Sequence, residues 1–93
     1  MKIGALKVEV RIPGANSLKE KRQVIRSVKD RIRHRFNASV AEVDHQDKWQ
    51  RAALGVAVVG TDGGYVTGAL DELMRFIRGA RGVEVTFHET EIL

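Results

Sequence analysis

Ninety-three residues, 43% of them apolar and 30% charged, describe one folded domain with a single core and no room for a deep enclosed active site beside it. Cysteine is absent, which excludes disulfides, thiolate metal sites and cysteine nucleophiles; the longest uncharged apolar run, residues 52–61, is far short of a membrane span. The net charge of +4 is unevenly laid: residues 1–37 hold eleven Lys/Arg against three Asp/Glu, and residues 38–93 hold five against nine.

Residues 2–12 alternate, with Leu6, Val8, Val10 and Ile12 on one face and Lys7, Glu9 and Arg11 on the other, which predicts a half-buried strand. The start, Met1-Lys2-Ile3-Gly4, enters that pattern at once without a signal-peptide plan, so the expected compartment is the cytoplasm. Pro13-Gly14-Ala15-Asn16 breaks the strand. Ser17 followed by Glu20 is a capping-box signature and predicts a helix start. Leu18, Ile25, Val28, Ile32 and Phe36 then recur at helical spacing with Val24 at the stripe's edge, and Asn37 suits the C-terminal cap. Residues 38–44 read as a short strand, His45 to Gln50 as a turn, and 51–60 as a strong strand with Leu54, Val56 and Val58 on one face and Ala53, Gly55 and Ala57 on the other. Thr61-Asp62-Gly63-Gly64 is the next turn, with Asp62 as a cap for a helix whose apolar side is Val66, Leu70, Leu73, Met74 and Ile77. Gly79-Ala80-Arg81-Gly82 ends it, and Val83, Val85 and Phe87 alternate with Glu84, Thr86 and His88 in a last strand.

The order βαββαβ over a single domain, residues 1–93, predicts an α+β, ferredoxin-like sandwich: an antiparallel four-stranded sheet in the order 4-1-3-2 with both helices on one face. This topology brings the Pro13–Ser17 loop, the Asp44–Gln50 hairpin and the Arg78–Gly82 loop to one end. The C-terminus of the first helix and the Asp62–Gly64 turn share the other.

Half of all basic residues lie between Lys19 and Arg35. Lys19, Arg22, Arg26, Lys29 and Arg33 are spaced three, four, three, four, which aligns them on one flank of the first helix in a row of about 21 Å. Such a row can meet successive phosphates of a nucleic acid and release several counterions. It can equally be a solvated face, or pair with acids such as Asp71 or Glu72. Arg31, Arg33 and Arg35 also suit a helix C-terminus through the macrodipole. In the hairpin, Trp49 beside Lys48 and Arg51 is placed to stack a base while the cations hold phosphates, or else Trp49 folds over the sheet end while Asp44 or Asp47 caps the turn.

Asp44, His45 and Asp47 have no metal-ligand spacing, His34, His45 and His88 are scattered, and Gly60–Gly64 lacks the phosphate-loop ending. The expectation is therefore a non-enzymatic chain with no catalytic residue, no metal and no cofactor. On the sheet face away from the helices, Lys7, Glu9, Arg11, Ala53, Gly55, Ala57, Glu84, Thr86 and His88 are small or charged, which disfavours base stacking there and leaves a flat surface for a second copy or another protein.

The runs Ser17-Leu18-Lys19-Glu20-Lys21-Arg22, residues 35–44 (Arg-Phe-Asn-Ala-Ser-Val-Ala-Glu-Val-Asp), Gln46-Asp47-Lys48-Trp49-Gln50-Arg51-Ala52 and Leu54-Gly55-Val56-Ala57-Val58-Val59 resemble the YlxP-like family, a small bacterial family of unassigned function. The likeness extends across most of the chain, through Phe76-Ile77, and the Gln-Asp-x-Trp-Gln-Arg run is fairly specific. It implies a ferredoxin-like fold and an association with translation or ribosome assembly, through members described as similar to ribosome-binding factor A. It brings no catalytic residues. The resulting expectation is binding of RNA or a ribosomal particle through Lys19, Arg22, Arg26, Lys29, Arg33, Trp49 and Arg51, with a homodimer through the sheet face or an edge strand as the rival.

Overall fold

In the computed structural model, which describes all residues 1–93, the first alternating segment becomes strand β1 (Lys2–Arg11). Then follow helix α1 (Leu18–Arg35), strands β2 (Ser39–Asp44) and β3 (Arg51–Gly60), helix α2 (Gly63–Arg78) and strand β4 (Glu84–Ile92). The sheet order is β2-β3-β1-β4, with every neighbouring pair antiparallel. This is the expected 4-1-3-2 sheet read from its other edge.

The helices start where their caps were expected. Ser17 Oγ accepts from the Glu20 N–H at 3.1 Å, which is the cap half of the capping box, and its hydroxyl donates to Glu20 Oε2 at 3.4 Å, a bond between side chains in place of the reciprocal bond to the Ser17 N–H. Asp62 Oδ1 accepts from the Tyr65 N–H at 2.9 Å. The end of α1 falls one residue earlier than the sequence suggests: Phe36, not Asn37, is the C-cap, because it turns to extended backbone and drops its ring beside Phe76 of α2.

One core joins both helices to one face of the sheet. Leu6, Val8 and Val10 of β1 and Leu54, Val56 and Val58 of β3 meet Ile25, Val28 and Ile32 of α1 and Leu70, Leu73 and Ile77 of α2. Each such side chain contributes about 1.5–3 kcal/mol of burial. The closest approach is at Gly4, where a Cβ would strike the side chains of Val66 and Leu70, so glycine there lets α2 settle on β1.

The last strand departs from its sequence reading. A bulge between Glu9 and Val10 sets Val10 opposite Val85 but Glu9 opposite Phe87, leaving Thr86 as the extra residue with its hydroxyl on Glu9 O at 3.2 Å. The strand changes face at that point. Phe87 moves to the face away from the helices, where it is 47% exposed, and His88 falls opposite Val8 on the helix side. Simple alternation assigned these two residues the other way round.

Candidate nucleic-acid interface

The inward phase of α1 is Lys21, Ile25, Val28 and Ile32. Relative to it, Lys19, Arg22, Arg26, Lys29 and Arg33 fall on one flank, as their spacing predicts. That flank faces β2, since Arg33 Nη2 donates to Val40 O of β2 at 3.0 Å. Arg33 also pairs with Asp30 at 3.5 Å, on the same helix. Lys19, Arg22, Arg26 and Lys29 have no carboxylate within 4.0 Å; neither Asp71 nor Glu72 reaches them. Lys19, Arg22 and Arg26 are exposed and Lys29 is half-buried.

Another cation of this helix, Lys21, behaves differently. It is 0% exposed, and its Nζ lies 3.0 Å from Glu42 Oε2, 2.8 Å from His45 O, 3.2 Å from Arg51 O and 3.4 Å from Gln46 O. Three N–H bonds are thus shared among four oxygens, and every acceptor belongs to β2, β3 or the hairpin between them. Glu42 itself is only 16% exposed. A buried charge needs both a counter-charge and hydrogen bonds, and here one ammonium receives both while pulling the hairpin onto α1.

The hairpin is held from its other side as well. Gln50 Nε2 donates to Ala15 O at 3.0 Å, and the Ile12 N–H donates to Gln50 O at 2.9 Å, tying its base to the loop before α1. His45 adopts φ +62°, a left-handed conformation that histidine tolerates better than most residues, and its carbonyl also accepts from the Lys48 N–H at 3.0 Å. Trp49 emerges at the tip 56% exposed rather than folding over the sheet end. It stands at the same end of the molecule as Lys19 and Arg22, beside the exposed Lys48.

Arg51 lies elsewhere. Its Nη2 is 3.6 Å from Glu9 Oε1, an oxygen that His45 Nε2 also contacts at 3.1 Å. Glu9, His45 and Arg51 form a small polar cluster on the open face of the sheet, above the fully buried Ala53. The structure therefore brings Lys19, Arg22, Arg26, Lys29 and Arg33 together, sets Trp49 at one end of the row and leaves Arg51 on another face. Asp44 caps the turn, accepting from the His45 N–H at 2.7 Å. That bond, with the electrostatic influence of the neighbouring His45, lowers the Asp44 carboxyl below the usual aspartate range. No group of three or more His, Asp or Glu comes together in metal-binding geometry.

Beyond the Glu9 cluster, the open face dips into a trough of about 590 Å³ lined by Ala5, Ala41, Val43, Gly55 and Ala57, with Lys7, Glu89 and Glu91 along one side. No helix of the chain is long and apolar enough to cross a membrane.

A family model described as "Protein of unknown function (DUF503)" matches residues 3–90. The chain belongs to this family. It is 36% identical over 89 residues to the Bacillus subtilis protein described as "Uncharacterized protein YlxP", covering 96% of this chain and 97% of that one. The resemblance read from the Ser17–Arg22, Arg35–Asp44 and Gln46–Ala52 runs is therefore a true relationship. Among solved structures, the solution NMR structure of a de novo designed protein with a ferredoxin fold aligns with a TM-score of 0.61, at 13% identity, over 98% of this chain and 86% of that one. At that identity the match speaks to fold alone, and it agrees with the βαββαβ order.

Sequence reasoning gave Lys21 no role of its own, although a signal was available. Positions 21, 25, 28 and 32 share one helical phase, and Glu42 follows Val40 on the inward phase of β2. A cation and an anion standing at core positions of two elements adjacent in sequence are candidates for a buried pair.

Proposed function

We propose that this protein is a non-enzymatic, cytoplasmic RNA-binding domain that docks on structured RNA or a ribosomal particle. Lys19, Arg22, Arg26 and Lys29 contact phosphates along the β2 flank of α1, and Trp49 with Lys48 stacks and orients at the hairpin tip. The observation that carries this reading is the absence of counter-charge: four aligned cations have no carboxylate of their own chain within 4.0 Å. Their charges are left for a partner, and a partner with phosphates at short regular intervals matches a row of this kind. Arg33, already occupied by Asp30 and Val40 O, contributes less. Arg51 serves the sheet face.

Four phosphate contacts imply a salt slope near −3.6 on duplex-like RNA, or a loss of about a hundredfold in affinity between 50 and 200 mM salt. The test is binding to a structured RNA across that range with wild type and the Arg22→Glu, Arg26→Glu double variant. A steep slope that flattens in the variant supports the reading. Unchanged affinity in the double variant overturns it.

A second reading has its own observation. The open face carries the apolar trough together with exposed Val43, Val59 and Phe87, a surface suited to a second copy of the chain. Light scattering separates the two, because a dimer through this face persists in high salt.

A further inference from the structure

The flank of α1 that faces α2 carries Arg31 and Arg35, one turn apart. Their guanidinium carbons stand 5.8 and 5.6 Å from the centroid of one ring, Phe76 of α2. Phe36 meets that ring edge-on, with centroids 5.8 Å apart and an interplanar angle of 70°, and both rings pack against the core. Arg75 and Glu72 line the same cleft, whose volume is about 530 Å³. None of the three arginines has a carboxylate within 4.0 Å, Glu72 included. Arg31 uses only its Nε, on Ser27 O at 3.4 Å, and the side chains of Arg35 and Arg75 donate to no protein acceptor.

The negative end of the α1 dipole accounts for cations near this terminus. It does not account for two guanidiniums converging on one aromatic ring with a third across the cleft. Contact with Phe76 holds the two guanidiniums beside one ring before any ligand arrives, which removes part of the ordering cost of binding. Three guanidiniums and one carboxylate leave a charge of +2 in the cleft, matched to one doubly charged oxyanion.

We propose that this cleft between α1 and α2 binds a phosphate dianion, gripped by Arg31 and Arg35 from one wall and Arg75 from the other. The ligand is a phosphomonoester, either a free small molecule or the terminal phosphate of a nucleic acid chain. This site does not rest on the RNA reading, since the Lys19–Arg33 row lies on the opposite flank of the helix.

The test is titration with methyl phosphate at constant ionic strength, followed by the Nε–H resonances of the arginines. Saturable shifts at Arg31 and Arg35 are expected. Arg31→Lys with Arg35→Lys keeps the charge but loses the planar fork, and weakens binding about tenfold to a hundredfold. Arg75→Gln, on the other helix, weakens it independently. Arg22→Gln with Arg26→Gln leaves it intact. Preference of the same site for a 5′-phosphorylated over a 5′-hydroxyl oligonucleotide names the chain end as ligand; methyl phosphate binding without that preference names the small monoester. No saturable shift, equal affinity in the lysine double variant, or equal loss in the Arg22/Arg26 variant overturns the proposal.

Discussion

Replacing Lys21 by Met keeps the apolar stem and removes the ammonium. Glu42 is then left as a nearly buried carboxylate without a partner, and three hairpin carbonyls lose a donor. Breaking one side of a buried ion pair costs about 3–5 kcal/mol. The three carbonyl bonds are only partly buried, so the cost should fall at the lower end, about 3 kcal/mol. A chain of this length has about 5–14 kcal/mol in total, so a large share of its stability is at stake. With a urea slope of about 1 kcal/mol/M, the unfolding midpoint should drop by about 3 M. Adding Glu42→Leu removes the stranded charge and should restore at least about half of the loss, because removing both partners of a buried pair is far less costly than removing one. Urea unfolding of wild type, Lys21→Met and the double variant decides the matter. A single variant whose midpoint stays within about 0.5 M of wild type, or a double variant as unstable as the single, refutes the view that Lys21 and Glu42 form a compensated buried pair.

Other consequences are equally accessible. Gly4→Ala forces a methyl into Val66 and Leu70 and should destabilise by about 1–3 kcal/mol in the same unfolding assay; a neutral result means that α2 can shift off β1. The lowered Asp44 carboxyl contributes stability that is present above the ordinary aspartate range and is lost as pH falls through its folded value. Asp44→Asn keeps an oxygen for the His45 N–H but not the charge, so its stability should fall less steeply than wild type's below about pH 4; parallel curves would contradict that assignment. Trp49→Ala should shift the unfolding midpoint little, since the ring is largely exposed, yet weaken binding to an unpaired base of a fluorophore-labelled structured RNA by about 1–3 kcal/mol; a stability loss without a binding loss would make the ring structural.

The fold was legible because its local signals agree with one another. Ser17 with Glu20, Asp62 before Tyr65, and the alternation of Leu6, Val8 and Val10 each specify an element and its inward face, and the βαββαβ order leaves few ways to assemble them. The row on α1 was legible for the same reason, since helical spacing alone places Lys19, Arg22, Arg26, Lys29 and Arg33 on one flank. Phe87 was not, because a bulge inserts one residue without changing composition, and Val83-x-Val85-x-Phe87 reads as unbroken alternation. Arg51 parts from Trp49 because β3 begins only at Arg51: Trp49 stays in the irregular hairpin, while strand geometry turns Arg51 onto the open face, where its guanidinium finds Glu9. The cluster around Phe76 was hidden by distance in the chain: Arg31 and Arg35 meet Arg75 only after the two helices pack.

The edge strand β4 carries Glu84, Glu89 and Glu91 and no Lys or Arg, while α1, on the β2 side of the sandwich, carries eight basic residues against Glu20 and Asp30. The molecule is therefore an electrical dipole with its positive pole on the helix layer. A polyanion exerts a torque on such a body from beyond contact range, turning α1 toward itself and the carboxylate edge away, so most encounters begin in a narrow set of orientations. The same polarity favours head-to-tail attraction between copies at low ionic strength, an association that salt would dissolve.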